Sequence, residues 1–257
     1  MGVELLHSFT LVHDDIMDED ELRHNVTTIH EKWDNAHAVL SGDGLGALGP
    51  LFIGKIKKNT LKILIRYNEV ILEICEGQAY DMEFEGRENI TVEDYLKMSQ
   101  KKTGSLFELC FEIAALVSNE HENYVNELKM LGRNLGVIFQ IQDDILELIS
   151  DDIEMGKGTY SDVIRDKKTI LNCIALEKDS KSWSRFRQSI LDQDKDKKKS
   201  ALLEYFETNN IKSEAKQLLE KYISKCDEII INLPKDIQEG LRELIYYIIK
   251  RKKCKNI

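Results

Sequence analysis

Residues 131–149 read LGRNLGVIFQIQDDILELI. Apolar side chains recur at helical spacing through this stretch, so it reads as a buried helix. Yet Gln140, Asp143, Asp144 and Glu147 fall on one side of it. Gly136 lies on the same line, where its missing side chain is expected to leave room for a ligand. Carboxylates in an apolar helix are costly unless paired or bound to a cation. Like charges one turn apart repel by roughly 0.2–0.5 kcal/mol.

A second stretch repeats the problem. Residues 3–18 read VELLHSFTLVHDDIMD, with apolar faces through Val3, Leu6 and Val12 and through Leu5, Phe9 and Ile16. The opposite stripe carries His7, Thr10, Asp14 and Asp18, with Asp15 beside them. Either stripe by itself could be the wet side of a surface helix. Two such acidic clusters in apolar helices point to cations. Hard oxygen donors suit Mg²⁺, which prefers octahedral geometry at roughly 2.0–2.1 Å and shares its shell with substrate phosphates. A calcium loop does not fit the first cluster, because Glu19 stands where that loop needs glycine.

The rest of the chain supports an all-α reading. Only Pro50 and Pro234 interrupt 257 residues rich in helix formers. After the first helix, which runs to about residue 20, helical stretches are expected near 31–48, 57–86, 92–117, 121–150, 166–180, 183–193, 199–206, 211–230 and 235–252. Thr91 and Asp94 mark a capped helix start, and glycines at 42–49, 86 and 156–158 read as punctuation. The charged segment 178–215 reads as a peripheral helical hairpin. No repeat or linker divides the chain.

Net charge is −10, which argues against a phosphate-tracking nucleic-acid binder. Five scattered cysteines form no CxxC pair, so neither a zinc site nor a disulfide framework is expected. No apolar run approaches the ~20 residues of a membrane span, and the N-terminus lacks signal-peptide features. A soluble, cytoplasmic protein with reduced thiols is expected.

Cations stand at intervals along the acidic framework: Arg23 after the first cluster, Lys102-Thr103 within the helix from Val92, then Gly156-Lys157, Ser161-Asp162 and Lys167-Lys168-Thr169. Fixed positive charge of this kind can hold a diphosphate leaving group.

Taken in order, VELLHSFTLVHDDIMD, the LRH at 22–24, LSGD at 40–43, GQAYD at 77–81, KTGSLF at 102–107, FQIQDDILE at 139–147 and GK…SD…KKT at 156–169 resemble the trans-polyprenyl diphosphate synthases. The resemblance covers most of the chain as a single domain over 1–257 and implies an all-α, isoprenoid-synthase-type helical bundle around a deep central cleft. It implies Mg²⁺ ligation by Asp14, Asp15 and Asp18 facing Asp143 and Asp144. Arg23, Lys102, Thr103, Gln140, Lys157 and Lys167 fall where the family holds the allylic diphosphate, and His7 where it meets isopentenyl diphosphate. Lys102, Thr103 and Gln140 carry the catalytic expectation, the oxygens of the last two facing a carbocation. The family's usual association as homodimers is expected too.

Three departures stand out. The family's N-terminal helices and their GGKxxR-type grip on isopentenyl diphosphate have no counterpart here. Arg23-His24 replaces an Arg-Arg pair, and histidine cannot offer a guanidinium fork. The second motif ends in Glu147 rather than aspartate. Phe9 and Thr10, just before Asp14, fall where the family floors its product tunnel; the single ring implies geranylgeranyl diphosphate, with farnesyl diphosphate next. Rival readings are a terpene cyclase, a non-catalytic or impaired synthase subunit, and a di-iron bundle. For the last, the two ExxH pairs lie too close together in sequence.

Overall fold

The computed structural model describes residues 1–118, 121–149 and 167–250. Helix α1 (Gly2–Met17) is followed by a two-stranded ladder, β1 (Leu22–Arg23) and β2 (Val26–Thr27), then by α2 (Ile29–Lys32), α3 (Asn35–Ile53) and α4 (Thr60–Glu85). Helix α5 (Val92–Ser99) runs through a π-helical turn (Gln100–Gly104) into α6 (Ser105–Val117). A 3₁₀ turn (Glu122–Tyr124) leads to α7 (Val125–Ile149). After it come α8 (Ile170–Ser189), α9 (Lys195–Thr208), α10 (Ile211–Ile231) and α11 (Lys235–Lys250).

The caps follow local chemistry. Thr91 and Asp94 form a reciprocal capping box at the start of α5, as their spacing predicts. Asp34 accepts from the His37 N–H at 2.8 Å and starts α3.

Several expectations need correcting. The glycines at 42–49 do not punctuate; they lie inside α3, where Gly42, Gly46 and Gly49 let α1 approach closely while Gly44 faces open space. The helix predicted over 92–117 is continuous but carries a π-helical turn at Gln100–Gly104. Residues 170–189 form one span bent at Asp179, whose carboxylate restarts the helix by accepting from the Ser182 N–H at 2.9 Å. Nor is 178–215 merely peripheral. Trp183, Leu202 and Phe206 from it are buried in the main core, and the Trp183 and Phe206 rings stack 5.6 Å apart. Alternating charges hide those anchors in the sequence.

Helix α7 is the axis of the core. Leu131, Leu135, Ile138 and Ile141 are all fully buried, each contributing about 1.5–3 kcal/mol on burial. Helices α6 and α10 flank it. A second cluster forms around Leu6, Ile63, Tyr67, Leu109 and Leu116. Between α4, α6 and α7, Arg66 reaches Glu73, Glu108 and Glu112 at 2.8, 2.9 and 3.0 Å. Burial alone would lower the Arg66 pKa, but these carboxylates raise it. Arg133 and Lys129 of α7 join them, Arg133 Nη2 standing 3.2 Å from Glu73 and Lys129 Nζ 3.3 Å from Glu112, so the network ties three helices together.

Candidate active site

Asp14, Asp15 and Asp18 crowd the C-terminal end of α1, whose last turn holds no basic residue. The helix dipole places partial negative charge there, so the acids are doubly unfavourable without cations. The tertiary structure supplies them. His24 and Asn25, both at positive φ (52° and 63°), make the tight turn between β1 and β2. That turn folds Arg23 back so that its Nε donates to Asp15 Oδ1 at 2.7 Å, with Nη2 also bonded to Asp15. Arg23 Nη2 lies 3.4 Å from Asp20 and 3.9 Å from Asp14. Burial would lower the Arg23 pKa, but Asp15, then Asp14 and Asp20, raise it.

Lys102 comes from the π-turn. Its Nζ lies 2.7 Å from Asp81 on α4 and 3.2 Å from Asp14 on α1. Desolvation works against its charge, yet Asp14, Asp81 and Asp18 hold its pKa above that of an ordinary lysine. The turn can lie there because two helices present bare backbone. A Cβ at Gly77 would stand 2.3 Å from Lys102 N, and one at Gly136 would stand 2.3 Å from Gly104 Cα. Gly136 therefore makes room for a neighbouring chain segment and not for a ligand, which corrects the expectation drawn from its place on α7.

The next residue reaches the other acidic motif. Thr103 Oγ1 donates to Gln140 Oε1 at 2.8 Å, and Gln140 Nε2 donates to Asp144 Oδ1 at 3.1 Å. Asp144 Oδ2 accepts from Tyr95 at 2.7 Å and from the Ile170 N–H at 2.8 Å. Burial pushes the Asp144 pKa up to about 7, although those three donors pull it down. Asp143 is half-buried beside it, and Glu147 is buried one turn on. Lys167 Nζ stands 2.8 Å from Asp18, closing the ring of contacts from the segment ahead of α8.

The expected site residues thus divide by environment. Asp15 and Asp144 are buried with carboxylate oxygens committed to the protein's own donors. Asp14, partly exposed, and Asp18, buried, instead face lysines that a diphosphate can recruit and a metal ion can displace. His7 is on the same stripe of α1, half-exposed, with Nδ1 3.9 Å from Glu4. Thr10 ties its hydroxyl to the His7 carbonyl at 2.8 Å. Phe9 lies at the opposite side of α1, its ring over Gly46 of α3 and edge-on to His13. Lys157 lies outside the described residues.

Sequence reasoning missed Asp81 and Tyr95 as site residues. Asp81 closes the GQAYD string, so its signal was present. Tyr95 carried none, because only folding brings α5 against α7.

Carboxylates and lysines of this kind are chemically suited to a divalent cation and its phosphate ligands, but among the described residues no group of three or more His, Cys, Asp or Glu is gathered closely enough to hold a metal ion. A family profile described as polyprenyl synthetase matches residues 1–207. The chain is 36% identical to the geranylgeranyl diphosphate synthase of Saccharolobus solfataricus, over 98% of this chain and 79% of that protein. It is 42% identical to the geranylgeranyl diphosphate synthase of Sulfolobus acidocaldarius, over 68% of this chain but only 55% of that protein. The crystal structure of geranylgeranyl pyrophosphate synthetase from Pyrococcus horikoshii matches with a TM-score of 0.87 at 31% identity, covering 97% of this chain and 78% of that one.

Proposed function

The chain belongs to the polyprenyl synthetase family, and on that premise we propose that it is a Mg²⁺-dependent, chain-elongating prenyltransferase that condenses isopentenyl diphosphate with an allylic diphosphate. Geranylgeranyl diphosphate is the proposed product, with farnesyl diphosphate next; relatives named for geranylgeranyl diphosphate support the first choice, while others are named for geranylfarnesyl diphosphate. One observation carries the reading. Adjacent residues of a π-turn touch both acidic motifs, Lys102 at Asp14 and Thr103 at Gln140, one turn from Asp144.

Asp14, Asp18 and Asp143 are the proposed metal ligands, with Asp15 and Asp144 holding Arg23 and the α5–α7 contact in place. When bound there, Mg²⁺ supplies Lewis acidity to the leaving diphosphate. Lys102, Arg23, Lys157 and Lys167 bind the allylic diphosphate and stabilise the charge that grows on it as its C–O bond breaks. The oxygens of Thr103 and Gln140 face the allylic cation left behind. The double bond of isopentenyl diphosphate, oriented by His7, attacks that cation and forms the new C–C bond. The proton then lost passes to the departing diphosphate. Phe9 floors the space for the growing chain, and Thr10 is proposed as a second residue bearing on its length.

Labelled isopentenyl diphosphate incubated with each allylic starter, with Mg²⁺ present or chelated, tests the proposal. Incorporation only with both substrates and Mg²⁺ is expected. Hydrocarbon from the allylic substrate alone would convert the reading to a cyclase. No incorporation under any condition would point to a non-catalytic subunit.

The proposed assembly is a homodimer. Val39, Leu40, Leu48 and Leu51 leave the outer face of α3 exposed and apolar. A monomeric mass in solution at micromolar concentration would overturn that assignment. No helix among the described residues is long and apolar enough to cross a membrane, and the proposed location is the cytoplasm.

A further inference from the structure

We infer that Gly46 of α3 determines product length jointly with Phe9, because the bare backbone at Gly46 is the seat on which the Phe9 ring rests. This rests on the reading of Phe9 as the floor of the product tunnel.

Helices α1 and α3 run antiparallel in a fixed register, His13 against Gly42, Phe9 against Gly46 and Gly2 against Ile53. At Gly42 a Cβ would stand 2.3 Å from His13 Nε2, and at Gly49 it would stand 1.9 Å from the Tyr67 hydroxyl. Those positions are closed by groups that cannot move without breaking other contacts: His13 Nε2 bonds the Val39 carbonyl at 3.2 Å, and Tyr67 is fully buried.

Gly46 differs. A Cβ there would meet Phe9 Cγ, Cδ1 and Cδ2 at 3.5, 3.6 and 3.7 Å, ordinary contact spread across the ring. The ring therefore lies face-on to the helix, and at this level α3 contributes no side chain. The slot is bounded above by His13, 4.8 Å away edge-on, and the seam continues below to buried Leu6 and Ile53. Removing the six-carbon ring would free a volume comparable with one five-carbon isoprene unit, beside the Gly46 backbone and the His13 ring. Gly46 has no side chain to refill it, so the extra unit of a longer product would enter the seam over Gly46. A large side chain at Gly46 would refill the same space from the opposite wall.

The test compares the parent chain with Phe9→Ala, Gly46→Ala, Gly46→Leu and the Phe9→Ala/Gly46→Leu pair. Each is checked for a cooperative melt. Product lengths are read after dephosphorylation, and relative affinities for C20 and C25 prenyl diphosphates are read by titration, which needs no turnover. Phe9→Ala is expected to lengthen products by at least one unit and to shift the C25 to C20 affinity ratio about tenfold or more toward C25. The pair is expected to return both readouts to the parent values, and Gly46→Ala to leave them unchanged. A pair that keeps the long-product pattern overturns the role of Gly46 while leaving Phe9 as the floor. Parent behaviour in Phe9→Ala itself removes Phe9 from chain-length control, and the Gly46 inference with it.

Discussion

The Lys167 ammonium stands 2.8 Å from Asp18 Oδ1. Lys167 lies three residues ahead of Ile170, whose N–H is bonded to Asp144. One short piece of chain therefore touches both acidic motifs, as Lys102 and Thr103 do from the π-turn. Two independent bridges fix the separation between the motifs, and each bridge ends in a lysine that a diphosphate can recruit.

Lys102→Ala should lower kcat/KM for condensation by about a hundredfold or more, the scale of losing one preorganised charge at a leaving group. It also strands Asp14 and Asp81, so a loss of roughly 3 kcal/mol in unfolding free energy is expected. Lys102→Met, assayed alongside by initial rates and urea melts, should keep the rate defect. Near-parent rates would remove Lys102 from catalysis.

Tyr95→Phe deletes a donor to a fully enclosed carboxylate. Unfolding free energy should fall by about 1–3 kcal/mol, read from urea midpoints at constant m-value. An unchanged midpoint would mean that Asp144 finds another donor.

Metal dependence should separate the acids. Mg²⁺ with inorganic diphosphate is expected to raise the melting temperature of the parent chain, and chelator to reverse the rise. Asp14→Asn and Asp143→Asn should abolish that shift. Asp15→Asn should instead lower the starting melting temperature and retain part of the shift, because Asp15 serves Arg23. Equal behaviour of all three variants contradicts the division of roles.

Gly136→Ala forces a methyl to within 2.3 Å of Gly104 Cα, a backbone atom that cannot step aside. The cost should be at least about 1–3 kcal/mol. Activity should fall further than stability, since the π-turn carries Lys102 and Thr103. A fully active, equally stable variant would show that the turn can be repositioned freely.

Cys226 is fully buried, and burial pushes its thiol up to about 12. A thiol raised in the folded state binds its proton there at pH values where the unfolded chain has released it. Stability from this group is thus intact below about 8.5, the ordinary thiol value, and declines as pH rises from there toward 12. Exposed Cys75 should alkylate rapidly at pH 8, and Cys226 only on unfolding. Mass spectrometry of timed labelling reads both.

Residue order alone determined that the chain is helical, that two acidic clusters lie on apolar helices, and which cations accompany them. Spacing of three and four residues is a property of one helix, so Asp14 with Asp18, and Gln140 with Asp144, were legible without coordinates. Tertiary structure decided which partners each acid meets. Burial and donors arriving from distant segments separate Asp144, held by Tyr95 and Ile170, from its neighbour Asp143. A hairpin turn through His24 and Asn25 assigns Arg23 to Asp15. Gly136 and Gly46 carry the same lesson in opposite senses. In sequence both are blank positions, and only the packing of a second helix or turn against them tells whether the blank admits a backbone or seats a ring. Local pattern encodes which face a side chain takes, whereas the electrostatic and steric meaning of that face depends on groups the fold brings from elsewhere.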